Sequence, residues 1–390
     1  MISTNKIILT VFILLIIILC IVLLYIFLKP SSSSTPTTSS TPTTSSTPYH
    51  PQFIWENDTL VRMDPSHPNS DWEFSPGANL DTLDGFGNKD PTHGSVVYGP
   101  NSDLVQIKNK QLYMYVEPKA PSSGFRKAPR IHCKTLFNEG LFIIDVEHIP
   151  VGPGVWPAFW LNGNVTGEQR WACKGEIDII EGVTDHSTND NIGKSTKNLS
   201  TLHTSIVDGK DCTQDGVPDI THNSCSATDK STWTTCGCSG KEICPTAGCS
   251  VEFPDANSFG IDFNNNKGGV YACELLRGQV TIWFWSRNST IPDFNDPDPT
   301  TWTTSNPKNT VRFKPCPKHF KDLALIINTT LCGDWAGRVF DPIAADHPTD
   351  DNIQKSMKDC IGYMFDQSVD LSEAYWVINS LKIFQKQKNE

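Results

Sequence analysis

Apolar and polar positions divide the chain into three regimes. Residues 7–28 are almost entirely Ile, Leu, Val and Phe. Residues 29–48 are dominated by Ser, Thr and Pro. From 49 onward the apolar runs are short and turn residues separate them, which predicts strands. These runs are Leu112 to Val116, Leu141 to Val146, Gln279 to Trp285, Leu323 to Thr329 and Tyr375 to Phe384. One stretch breaks the rule. Across 351–365, Ile353, Met357, Ile361 and Met364 or Phe365 recur at helical spacing, which predicts a short surface helix. Residues 49–390 contain no second linker and no internal repeat, so they read as one all-β domain, large but within reach of an elaborated sandwich.

The segment Gly175-Glu176-Ile177-Asp178-Ile179-Ile180-Glu181-Gly182 is the most distinctive of the strand candidates. In a regular strand Glu176 and Asp178 point to one face and Ile177 and Ile179 to the other. Glu181 then has the wrong parity. One inserted residue, a β-bulge, would return it to the face of the first two. The expected result is a row of Glu, Asp and Glu on one face with isoleucines buried behind.

Glycoside hydrolysis needs two carboxyl groups flanking one bond. Across a bulged strand the two glutamate Cα atoms would stand roughly 13 Å apart. Side chains leaning toward each other would bring the carboxyls near the ~5–5.5 Å of a retaining mechanism. Mutual repulsion would raise at least one pKa and leave an acid available near neutral pH. A solvated acidic strand face is the plain alternative, and the spacing alone leaves both open.

Aromatic rings stack on the apolar faces of sugars. Trp156 and Trp160 lie just upstream, and burial in the core is the competing fate for such large side chains. On a second aromatic strand, 280–287, Trp283 and Trp285 share a face that is either core or cleft.

Further segments extend the pattern: Asp90-Pro91-Thr92-His93-Gly94, Gly140-Leu141-Phe142, Trp156-Pro157-Ala158-Phe159-Trp160, Thr201-Leu202-His203-Thr204-Ser205, Gly268-Gly269-Val270-Tyr271-Ala272, Leu331-Cys332-Gly333-Asp334-Trp335-Ala336-Gly337 and Ala374-Tyr375-Trp376-Val377-Ile378-Asn379-Ser380-Leu381. With the acidic strand, and in this order, they resemble fungal-type glycoside hydrolase family 16, and within it the laminarinase-like endo-1,3(4)-β-glucanases. The resemblance covers roughly residues 50–385. It implies a β-jelly-roll sandwich, concanavalin A-like, with a substrate cleft on the concave sheet. It also implies Glu176 as nucleophile, Glu181 as general acid/base and Asp178 as the helper between them. Trp156, Trp160 and His203 match positions lining the family's subsites, and Arg130 resembles a cleft arginine. Trp285 is taken as a further substrate contact. The bulged spacing resembles the laminarinase branch, which favours hydrolysis of β-1,3 or mixed 1,3/1,4 glucans. Transglycosylation onto a sugar acceptor and non-catalytic glucan binding are the competing functions. Binding relatives typically lack both glutamates, which this chain has.

The ends add placement. A run of about 22 apolar residues at ~1.5 Å each spans a ~30 Å bilayer and exceeds a signal peptide's usual core. It predicts one N-terminal transmembrane helix, an uncleaved signal anchor at 7–28 behind a cytoplasmic head at 1–6. Lys6 and Lys29 flank it evenly, so the residues beyond the run must supply the orientation. Residues 29–48 read as an O-glycosylated stalk. Five N-x-S/T sequons, at Asn57, Asn164, Asn198, Asn288 and Asn328, lie beyond it. The expectation is a single-pass type II protein with its catalytic domain extracellular or lumenal; cutting the stalk would give a secreted form.

Of thirteen cysteines, Cys20 lies in the apolar run, and the other twelve form an even set suited to disulfides. Six of them, Cys212, Cys225, Cys236, Cys238, Cys244 and Cys249, fall in a polar segment that needs covalent staples. Zinc is the rival reading of these Cys-x-Cys spacings, and an oxidising compartment disfavours it. Net charge is −11 with no basic patch, which argues against nucleic acid as a partner. The expected partners are a β-glucan and the membrane, with a monomeric chain. No cofactor or metal is expected, although sandwich enzymes of this kind sometimes carry a structural calcium.

Overall fold

The computed structural model describes residues 48–75, 96–98, 102–122, 124–163, 174–183, 197–203, 215–216, 233–236, 242–245, 248–314 and 320–386. The chain separates into two units, Met1–Ser46 and Thr47–Glu390, and the described elements belong to the second. The apolar run at 7–28 and nearly all of the stalk lie outside the described residues, as does Asn164. Among the described residues no helix is long and apolar enough to cross a membrane.

The five short apolar runs form the strands Gln111–Tyr115, Gly140–His148, Gln279–Ser286, Leu323–Leu331 and Tyr375–Lys386. Among the described residues they belong to two large sheets whose pairings are antiparallel. The seven-stranded sheet has the order Cys249–Glu252, Leu199–His203, Glu176–Glu181, Val155–Asn162, Leu323–Leu331, Arg130–Phe137, Trp72–Phe74. The nine-stranded sheet has Gly269–Leu276, Gly140–His148 and Tyr375–Lys386 at its centre. Several sheet neighbours are distant in sequence, as where Gly140–His148 lies between Gly269–Leu276 and Tyr375–Lys386, so the chain crosses between sheets as in a jelly-roll sandwich.

One core joins the sheets. Phe159, Leu161, Ile177, Leu325 and Ile327 from the seven-stranded sheet cluster with Phe142, Ile144, Tyr271, Ile282 and Phe284 from the other. All are fully buried, each contributing about 1.5–3 kcal/mol relative to exposure. The all-β architecture expected from the short, turn-separated runs, and the sandwich implied by the resemblance, are therefore observed.

The expected helix is Asp350–Phe365. The Thr349 side chain caps it by accepting from the Asn352 N–H, and Asp350 and Asp351 complement the positive end of its dipole. Met357, Cys360 and Met364 are buried, while Phe365 is exposed. Met364 therefore closes the inward stripe. Cys360 is bonded to Cys332, which pins the helix to the end of the Leu323–Leu331 strand.

Two expectations need correction. Cys133 and Cys273 are free thiols inside the main core, so the twelve cysteines are not all paired. Each behaves there as a small hydrophobe, and burial pushes the Cys133 thiol up to about 12. Cys249, by contrast, is disulfide-bonded.

Trp285 is the second correction. It lies on the nine-stranded sheet, away from the acidic strand, and is 3% exposed. Its ring packs edge-on against Trp302 and Phe294, and Trp283 packs against Trp302 from the same face. The shared tryptophan face is a second apolar cluster under the helix Pro299–Ser305, not a sugar platform.

Candidate active site

The acidic segment forms the strand Glu176–Glu181, and glycines constrain both its ends. Gly175 has φ +93°, and a Cβ there would sit 2.8 Å from the Phe320 ring. A Cβ on Gly182 would sit 2.6 Å from the Phe259 ring. Neither position has room for a side chain.

Against Val155–Asn162 the pairing runs Glu176 with Asn162, Ile177 with Leu161 and Asp178 with Trp160, then Ile180 with Phe159 and Glu181 with Ala158. Ile179 is the extra residue of a β-bulge. Ile177, Ile179 and Ile180 all join the main core at 0% exposure. Glu176, Asp178 and Glu181 thus share the opposite face, as the parity argument requires.

Each carboxylate has a defined neighbour. Asn162 Nδ2 donates to Glu176 Oε2 at 2.9 Å. Trp156 Nε1 donates to Glu181 Oε1 at 2.9 Å. His203 pairs across the ladder with Glu176; its Nε2 stands 3.4 Å from Asp178 Oδ2 and 4.0 Å from Glu176 Oε1.

Burial and the charges of Asp178 and Glu176 push the Glu181 carboxyl well above the usual carboxylate range, against the opposing pull of the Trp156 hydrogen bond. Burial also pushes Asp178 up well above its ordinary value. Burial lowers His203, although Glu176 pulls the other way. Burial thus disfavours the charged form of each partner in the Asp178–His203 contact. The site thus sets a glutamate whose carboxyl is pushed upward on the same strand face as a second glutamate steadied by an amide donor.

A second network fixes the aromatic wall. Trp160 Nε1 donates to Asn328 Oδ1 at 2.6 Å. Asn328 Nδ2 donates to Tyr98 Oη and Thr330 Oγ1. The Arg130 guanidinium lies 5.1 Å from the centre of the Trp160 ring and 5.7 Å from that of Tyr98. Trp335 meets Trp156 edge-on at 5.8 Å. Arg130, Trp156, Trp160, His203 and the three carboxylates are thus assembled on one sheet, and Trp285 is not.

Ligand atoms of Glu176, Asp178 and His203 lie within 4.8 Å of one another, the one cluster of its kind among the described residues. A cation there would need Asp178 deprotonated, and burial opposes that.

Sequence reasoning does not single out Asn162, Asn198, Asn328 or Trp335 as site residues. Two of them carry a misleading signal. Asn198 and Asn328 begin sequons, yet they are 0% and 3% exposed and their amides are engaged within the fold. Neither can carry a glycan as folded. Asn57 and Asn288 are exposed.

A family model described as "XgeA-like, catalytic GH16 domain" matches residues 84–384. An endo-1,3(4)-beta-glucanase of Arthroderma benhamiae is 30% identical over 332 residues, covering 80% of this chain. The chain spans only 64% of that relative's length. A laminarinase 16A of Phanerochaete chrysosporium, solved with beta-glucans in donor and acceptor sites, is 27% identical with a TM-score of 0.55, covering 86% of this chain and 99% of that one. An elongating GH family 16 beta-1,3-glucosyltransferase is 28% identical with a TM-score of 0.59, covering 86% of this chain and 100% of that one. With most of its sequence matched by the family model and the paired glutamates carried on one bulged strand, the chain belongs to glycoside hydrolase family 16.

Proposed function

We propose that the chain hydrolyses β-1,3 or mixed β-1,3/1,4 glucans by a retaining double displacement. The single observation that carries this reading is the bulge at Ile179, which puts Glu181, buried and with its carboxyl pushed upward, on the same face as Glu176. Glu176 attacks the anomeric carbon while Glu181 gives its proton to the departing glycosidic oxygen. The glycosyl-enzyme is then opened by water, whose proton returns to Glu181. Asn162 steadies the attacking carboxylate by donating to Glu176 Oε2, and Asp178 with His203 fills the space beside it. Trp156 and Trp160 offer ring faces to glucose units, with Trp160 held edge-on by Asn328. Incubation with laminarin and barley β-glucan, followed by reducing-end assay, tests this. Reducing ends should appear on at least one polymer, and a folded but inert chain on both would overturn it.

A second reading keeps the chemistry and changes the acceptor. Similarity to an elongating β-1,3-glucosyltransferase supports it. A sugar hydroxyl replaces water, and Glu181 takes its proton instead. Labelled acceptor oligosaccharides lengthened in the product mixture would favour this version.

The reading extends to placement. Residues 7–28 anchor the chain in a membrane, residues 29–48 form the stalk, and the domain faces the extracellular or lumenal side. The apolar run and the disulfides at Cys249 and Cys332–Cys360, which fit an oxidising compartment, support it. Protease protection in sealed membranes checks it: the domain should be shielded in microsomes, and digestion without detergent would contradict it.

A further inference from the structure

We propose that Asn198 is the positioning residue that sets where Glu181 stands. This deepens the reading of Glu181 as acid/base and rests on it. The ladder between the acidic strand and Leu199–His203 runs Glu176 with His203, Ile177 with Leu202 and Asp178 with Thr201, and there it stops. The extra residue of the bulge pulls the backbone beyond Asp178 out of register with that neighbour. Two buried peptide groups, the Ile179 carbonyl and the Glu181 N–H, thereby lose their ladder partners on that side.

The side chain of Asn198 takes over both. Its Oδ1 accepts from the Glu181 N–H at 2.9 Å, and its Nδ2 donates to the Ile179 carbonyl at 2.8 Å. A carboxamide presents an acceptor and donors in one plane, the complement of the peptide groups it meets. Ser200 reinforces the grip: its hydroxyl donates to the same Ile179 carbonyl at 2.9 Å and lies 3.1 Å from Asn198 Nδ2. Asn198 is itself held at both ends of its backbone. Its N–H donates to Ser258 Oγ at 2.9 Å, and its carbonyl accepts from the Phe253 N–H at 2.9 Å. The residue is 0% exposed.

The backbone nitrogen of the acid is therefore fixed by a neighbour that touches no reacting atom. Glu181 must protonate one oxygen and later deprotonate a water, and a displacement near 1 Å costs on the order of 10²-fold in rate. The Asn and Ser of the sequon are used for this grip.

The test uses the full-length chain carrying Asn198→Ala or Ser200→Ala, with kinetics on laminarin and on an aryl β-laminaribioside with an activated leaving group. Asn198→Ala should lower kcat on laminarin by about 30- to 100-fold, with KM within about threefold. The aryl substrate departs without an acid, so added azide should restore its turnover and yield the β-glycosyl azide. Ser200→Ala, which leaves the Asn198 donor in place, should fold normally and lose about three- to tenfold, with the same response to azide. Folded variants with wild-type kcat, or a loss indifferent to azide, overturn the proposal alone. A wild-type chain silent on both substrates overturns the parent reading and this proposal with it.

Discussion

The indole N–H of Trp156 donates to Glu181 Oε1 at 2.9 Å, a bond between one residue of the aromatic wall and the group read as the acid. That bond favours the anion and opposes the burial that raises Glu181. Trp156→Phe removes it and leaves the burial. The alkaline limb of the kcat profile, set by loss of the Glu181 proton, should then move to higher pH. An unchanged or lowered limb would show that another group sets it.

Asp178 carries a stability consequence. Its folded pKa is raised, so the native state keeps a proton that the unfolded chain releases above about pH 4. The stabilisation from holding that proton is complete below the unfolded pKa and is lost as pH rises through the folded one. Asp178→Asn removes this dependence. The variant should lose less stability than the parent as pH rises from the acid range to neutrality, read from denaturant midpoints at each pH.

Much of this site follows from side-chain parity. The short apolar runs between turns predict the strands, and the five-residue step from Glu176 to Glu181 demands the bulge that appears at Ile179. Parity says which residues share a face, not what covers that face. Trp285 shows this, since a helix contributing Trp302 covers it and no local signal announces the contact. Asn198 and Asn328 are hidden for another reason. Their sequon pattern describes short-range spacing, while their partners Glu181 and Trp160 lie far away in sequence. Cysteine parity fails at Cys133 and Cys273 because a thiol packs in a core as readily as it pairs.

Asn328 holds Trp160 by the edge of its indole. Asn328→Ala deletes the acceptor at 2.6 Å from the indole nitrogen and the donor to Tyr98. Leaving such groups unsatisfied costs about 1–3 kcal/mol. A lower denaturation midpoint should accompany a higher KM on laminarin, while kcat changes little.

The Cys332–Cys360 bond closes a loop of sequence separation 28. Chain entropy assigns such a crosslink roughly 3–4 kcal/mol. Paired Cys332→Ser and Cys360→Ser substitutions should lower stability by about that amount in denaturant titrations. Loss of the helix Asp350–Phe365 should precede loss of the sandwich, since its disulfide anchor is gone while the main core is intact.

The nucleophile is open to direct chemical identification. A 2-deoxy-2-fluoro laminaribioside with an activated leaving group should accumulate as a covalent glycosyl-enzyme, because the fluorine slows its release. Peptide mapping by mass spectrometry should place the sugar on Glu176. A label on any other residue, or an unlabelled chain that still hydrolyses glucan with inverted product, would contradict the account.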